Sequence, residues 1–246
     1  MSKEIADYRE ETGKEPLWTN SMFGGMPAYL ISTQFEGNII ANLRYIFHLG
    51  PRPVSFVFLY LVGFYILLIA LRVNPWLAIV GSVAFAFSSY NFSIIAAGHN
   101  SKAIAIGYMA PVIGGVLLTF RGRRILGMAI TGLFLSLQLF AGHPQITYYT
   151  LIMVFIFGLF HLYYAFREKY FRELVICVGI LAIGAVLSVA SNAGRLWTTW
   201  EYGKYSMRSP SELVLEAGDQ TGGLTRSYVT QWSYGVDETF TLLIPG

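Results

Sequence analysis

Between residues 53 and 193 the chain is almost continuously apolar, interrupted only by short polar steps. The apolar runs are 53–71, 76–98, 103–120, 125–142, 146–166 and 174–193. Each lies near the ~20 residues that a helix needs to cross ~30 Å of hydrocarbon. Backbone in such a medium finds no water and must satisfy its own N–H and C=O groups, so only helices and closed barrels are available. The runs do not alternate polar with apolar, which selects helices over a barrel. The steps between them, 72–75, 99–102, 121–124, 143–145 and 167–173, are too short to recross a bilayer, so successive helices must be antiparallel. The expected fold is an all-α polytopic membrane bundle of about six transmembrane helices.

Composition agrees. Of 246 residues 54% are hydrophobic and 13% charged, about half the charged fraction of ordinary soluble chains, ~25%. That excludes a disordered chain, an ordinary soluble enzyme and a disulfide-stapled secreted domain. The single Cys177 can form no internal disulfide. The formal charge of +3 is small and scattered, which argues against a nucleic-acid partner. Residues 1–52 and 194–246 form polar flanks. Within the first flank Ile39, Ile40, Leu43, Ile46 and Phe47 share one helical face, the pattern of a short interfacial helix near 39–49. Glycines recur inside the runs and permit close helix packing.

The polar steps are unequal in charge. Arg72, Arg121, Arg123, Arg124, Arg167, Lys169 and Arg172 crowd the steps of one side, whereas Lys102 stands alone on the other. Adding Arg44, Arg52, Arg195, Lys204 and Arg208 from the flanks narrows the contrast, and the density in tight loops decides. Short positive loops stay cytoplasmic, so both flanks are expected on the outer side of the membrane. Met1 opens onto charged residues with no secretory signal. The expectation is therefore a fragment, with a membrane helix upstream of Met1 and a truncation near Gly246.

The steps on the outer side carry the chemistry. They read Gly98-His99-Asn100-Ser101-Lys102, Gly142-His143-Pro144-Gln145 and Ser191-Asn192-Ala193-Gly194-Arg195. A glycine before each histidine lets a helix end sharply and lets backbone approach a ligand. His99, Asn100, Lys102, His143, Gln145 and Arg195 are the candidate phosphate- and substrate-binding residues, because cationic and hydrogen-bonding groups around one mouth suit a phosphate at the membrane surface. Trp18 and Trp232, with Trp197 and Trp200 behind them, are candidates for stacking on sugar faces; tryptophans at helix ends also serve as interfacial anchors. His48 and His161 read as structural. Glu4, Asp7, Glu10, Glu11 and Glu15 supply carboxylates, one of which is a candidate general base, although Lys3, Arg9 and Lys14 alternate with them as on a solvated helix face. No His-Glu-x-x-His, P-loop, Gly-x-Ser-x-Gly or dinucleotide fingerprint occurs. No metal-ligating cluster is expected; a divalent cation held by one or two carboxylates stays compatible.

The segments Asp7-Tyr8-Arg9-Glu10-Glu11-Thr12-Gly13 and Pro16-Leu17-Trp18-Thr19-Asn20-Ser21-Met22-Phe23-Gly24-Gly25-Met26-Pro27, the two Gly-His steps, and Gln231-Trp232-Ser233-Tyr234-Gly235 resemble the YfhO-like family of bacterial multi-pass membrane proteins, which in turn resembles the GT-C-type glycosyltransferases. The resemblance implies an enzyme taking a sugar from a polyprenyl-phosphate donor at the outer membrane face to a cell-envelope polymer or lipid acceptor. It also implies a catalytic aspartate just after a first span, expected here upstream of Met1; Asp7 is the substitute this chain offers. Two other classes stay open. One is a transporter or flippase of a lipid-linked sugar, for which Asn91, Gln138 and Ser88-Ser89 are the intramembrane polar groups. The other is a non-catalytic envelope-assembly protein.

Overall fold

Each polar step in the apolar stretch is a helix terminus with a physical cause. Arg72, Gly98, Gly122, Gly142 and Lys169 all take left-handed backbone, the conformation that stops a helix and releases its last carbonyls to local partners. Asn74 then accepts from the Trp76 amide and Pro75 occupies the first turn, while Pro144 does the same after His143. Proline is at home there because that amide has no helical partner to lose.

The computed structural model describes residues 3–21, 24–31, 38–204, 227, 230 and 231. It is all-α apart from one two-stranded hairpin. The elements are α1 (Lys3–Thr12), β1 (Trp18–Thr19), β2 (Met26–Pro27), α2 (Ile39–Phe47), α3 (Val54–Ala70), α4 (Pro75–Ala86), α5 (Ser89–Ala96), α6 (Asn100–Phe120), α7 (Arg124–Phe140), α8 (Pro144–Arg167), α9 (Phe171–Ser191) and α10 (Ala193–Gly203). They divide into two compact units, one of residues 1–33 with 195–246, the other of 34–194.

In the second unit α6, α8 and α9 are long and apolar enough to cross a membrane. The expected run 76–98 is not one straight helix. It breaks after α4 and resumes as α5 at an angle of 44°, a fourth candidate span if the bent pair is one crossing. The side chain of Asn91 explains the break: its amide donates to the Phe85 carbonyl at 2.7 Å, a carbonyl that a continuous helix would give to the amide of Ser89. α3 and α7 are apolar but only 17 residues each, about 25 Å at 1.5 Å per residue. Among the described residues three helices, or four if the bent pair is one crossing, are thus long and apolar enough to cross a membrane, and α3 and α7 are shorter apolar helices at the low end of the ~17–25 residues of a span.

α6 is the central element. In its apolar window 67% of residues are buried, against 11% in α8 and 22% in α9. The outer helices turn Phe155, Phe160, Phe166, Val186 and Leu187 outward. A soluble protein rarely exposes so large an apolar patch; hydrocarbon accommodates it without cost. Close packing of α6 on α7 is set by Gly115 and Gly127. A Cβ on Gly115 would stand 2.8 Å from the Gly127 carbonyl oxygen, and one on Gly127 would stand 2.6 Å from that of Gly115, so neither position has room for a side chain. Small residues at such contacts are the general means by which helices approach in lipid.

Buried polar bridges fix the register. Gln138 of α7 is fully buried, and its amide nitrogen donates to the Ala105 carbonyl on α6 at 3.0 Å and to the Thr150 hydroxyl on α8 at 2.9 Å. Asn192, just past α9, donates to the Ser136 carbonyl on α7 at 3.0 Å. α2 lies on α6 and α7 through Phe47, whose ring centroid is 5.0 Å from that of Phe134. His48 shares a 3.1 Å hydrogen bond with the Tyr108 hydroxyl. His161 stacks on Phe120, centroid to centroid 4.1 Å, which accounts for an imidazole on an apolar helix.

In the first unit Glu4 ties α1 to the hairpin. Its carboxylate accepts from the Thr19 hydroxyl at 2.6 Å, the Asn20 and Ser21 amides, and the Ser21 hydroxyl.

Candidate functional site

The two Gly-His steps are built alike. Gly98 has φ +74° and Gly142 φ +70°, a region that costs a β-carbon-bearing residue strain and glycine almost nothing. Each histidine then stands on the cap of the next helix, His99 before α6 and His143 before α8. α6 and α8 pack together, and their amino ends meet at one cleft of about 660 Å³, into which both Lys102 and Gln145 project. The remaining wall is the broken helix, through Phe85, Ser88, Tyr90 and Asn91, and the floor is apolar, with Ile106 and Met153.

Lys102 lies over the Tyr90 ring, its ammonium 5.6 Å from the centroid. Gln145 donates from its side-chain amide to the Tyr149 hydroxyl at 2.8 Å, one helical turn on. His143 is half-buried. Its Nδ1 is buried with no hydrogen-bond partner among the described residues, which is unusual for an imidazole nitrogen inside a protein. Burial, then the positive field of Lys102 and, more weakly, of His99, hold its proton affinity below the ordinary histidine value. His99 and Asn100 are exposed at the amino end of α6. Two helix amino termini, each carrying roughly half a positive charge, thus meet beside one ammonium and two imidazoles. The arrangement suits a phosphate at the mouth and an alkyl chain below it.

The other sequence candidates belong to the first unit. Asp7 is exposed on α1. Glu4 is engaged by the hairpin, and Glu15 pairs with Arg9; hydrogen bonds from Ser21, Thr19 and the Asn20 amide hold the Glu4 pKa down to about 2, so it serves as a fixed anion and a poor proton acceptor near neutral pH. Trp18 is half exposed; its indole N–H donates to Asn20 Oδ1 at 3.2 Å, and its ring covers Gly25. Arg195 lies in the first turn of α10, where its carbonyl accepts from the hydroxyls of Thr198 and Thr199. Trp197 and Trp200 face each other on the same helix, 5.5 Å between centroids. Trp232 lies outside the described residues. Among the described residues no group of three or more His, Cys, Asp or Glu is placed to hold a metal ion.

Tyr90 and Tyr149 are cleft residues that the sequence reading did not single out. Tyr149 sits four residues after Gln145, the spacing that stacks side chains on one helix face, and that spacing was the available signal. Tyr90 carried none, because its place depends on the bend before α5. Compared with family models, curated proteins and solved structures, the chain has no match in any of the three.

Proposed function

We propose that this chain forms the phosphate-holding part of a multi-pass bacterial inner-membrane glycosyltransferase of GT-C type, related to the YfhO-like family. Such an enzyme would move a sugar from a polyprenyl-phosphate donor to a cell-envelope acceptor at the outer face. The observation that carries the reading is the cleft where α6 and α8 begin, with Lys102 and Gln145 lining its mouth, His143 on the cap just before Gln145, and an apolar floor beneath. A polyprenyl phosphate has matching parts, an anionic head and a hydrocarbon tail. As the bond between the sugar's anomeric carbon and the phosphate oxygen breaks, its electron pair passes to that oxygen. Lys102, His99 and the two helix amino ends would stabilise the charge that develops. His143, on the cap before Gln145, would add a proton-dependent positive charge beside the phosphate. A carboxylate acting as general base would take the acceptor hydroxyl's proton.

A second reading is favoured by one observation. The cleft wall is a broken helix, and discontinuous helices beside a binding site are a mark of transporters. In that case the same cleft would pass a lipid-linked sugar without covalent chemistry. Purified protein in nanodiscs containing a polyprenyl-phosphate sugar and a hydroxyl acceptor separates the two. Glycosylated acceptor, lost in His143→Ala, supports the enzyme; lipid-linked sugar that changes leaflet with no new glycoside supports the transporter. Neither outcome, with a folded protein that still binds the donor, leaves a non-catalytic envelope-assembly role.

A further inference from the structure

A second cleft opens at the other, carboxyl end of α6. It measures about 390 Å³ and lies between α3, α6 and α7, with Ile69, Leu118 and Ile130 along its apolar wall and Arg72, Arg121 and Arg123 at its rim. The neighbouring Arg124 is paired with Glu173. Among the described residues no carboxylate pairs with the three rim arginines. Arg121 donates to the Ala70 carbonyl at the end of α3, which fixes its guanidinium at the rim and leaves its charge uncompensated. Arg123 caps the amino end of the 17-residue α7, adding the positive end of a helix dipole at the same place.

An apolar groove rimmed by three uncompensated guanidiniums matches one kind of occupant, an amphiphile with an anionic head. Guanidinium binds phosphate oxygens in paired, directional hydrogen bonds, and basic pockets between membrane helices are a recurrent way to hold anionic lipid heads. We infer that this groove is a binding site for an anionic phospholipid, with its phosphate among Arg72, Arg121 and Arg123 and one acyl chain along Ile69, Leu118 and Ile130. The site depends on the chain being embedded in a membrane and is independent of sugar transfer or transport at the other end.

The test is native mass spectrometry of the protein, delipidated in neutral detergent and titrated with phosphatidylglycerol or with phosphatidylcholine of the same acyl chains. One phosphatidylglycerol should be retained in clear preference to phosphatidylcholine. Each arginine near an anionic lipid surface contributes roughly fivefold. Arg72→Asn with Arg123→Gln should therefore weaken phosphatidylglycerol by about twenty-five-fold and leave phosphatidylcholine unchanged; asparagine tolerates the left-handed backbone at 72. Ile130→Trp, which fills the groove and keeps every charge, should also displace the lipid, and it serves as the readout if the double variant does not fold. Equal retention of the two lipids, unchanged affinity in the variants, or displacement by millimolar inorganic phosphate alone would overturn the proposal, the last by showing a free-anion site.

Discussion

His143 and Lys102 stand at the starts of neighbouring helices within reach of each other's charge. Burial of the imidazole, and after it the Lys102 ammonium, keep His143 below its ordinary proton affinity. Near neutral pH the ring is therefore uncharged and the mouth of the cleft carries its positive charge on Lys102 and the helix ends.

An anion bound between the two would reverse the effect of Lys102 on His143. Binding and protonation are then linked: the bound state holds more protons than the free state as pH falls through the histidine range. Affinity for a polyprenyl phosphate in detergent, followed by isothermal titration, should rise between pH 8 and pH 6. In His143→Gln the rise should flatten, and in Lys102→Gln affinity should fall at every pH, by roughly tenfold for the loss of one charge-assisted bond of about 1.5 kcal/mol. A pH profile identical in His143→Gln and the parent would remove the imidazole from the site.

His48 gives a stability counterpart outside the cleft. Burial, then Arg44 and Arg52, lower its pKa from the ordinary histidine value. The unfolded chain therefore binds a proton more readily than the folded one. The stability that comes from a neutral His48 is complete above the ordinary value of about 6.5 and is lost as pH falls through that value toward the lowered one. The thermal midpoint in detergent should fall between pH 7.5 and pH 5. His48→Gln, which can still reach the Tyr108 hydroxyl, should show a shallower fall and differ little from the parent at pH 7.5.

Gln138 is a bridge between three helices, so its loss should register on stability more than on binding. Gln138→Leu removes the bonds to Ala105 and Thr150 and leaves the Thr150 hydroxyl with its own helix carbonyl, that of Ile146 at 2.9 Å. Interhelical hydrogen bonds in membrane proteins average ~0.6 kcal/mol, with ~1.7 at the top. Leucine also relieves the unpartnered Gln138 Oε1. The expected net loss is about 1 kcal/mol, measured by reversible unfolding in mixed micelles, with phosphate affinity at the cleft unchanged.

The helical class and the places where helices end were legible in the sequence for a plain reason. Hydrophobic runs and Gly, Pro and Asn at their edges act locally, and Gly98, Gly142, Asn74 and Pro75 do in the fold what their chemistry dictates. The nearness of His99 and Lys102 to His143 was also accessible, because short steps force antiparallel neighbours and so bring alternate steps to one end. What was not legible depends on tertiary choice. At the bend before α5 one side-chain amide, Asn91, takes a backbone carbonyl; Ser88, Ser89 and Asn91 mark a polar spot in the run 76–98, but not that the helix turns there. The length of α3 and α7, 17 residues each, is set by where Arg72 and Gly142 turn left-handed. Glu4 could not be told from its acidic neighbours until the hairpin of β1 and β2 brought Thr19 and Ser21 to it.

The Asn91 amide has one further consequence. In a straight helix neighbouring turns share their backbone bonds cooperatively, whereas at the α4–α5 elbow the Phe85 carbonyl trades a helical amide for the buried Asn91 side chain. The cleft is thus bounded on one side by packed helices and on the other by an elbow that the Asn91 amide holds together with backbone bonds from Ser88 to Phe85 and from Asn91 and Phe92 to Ser88.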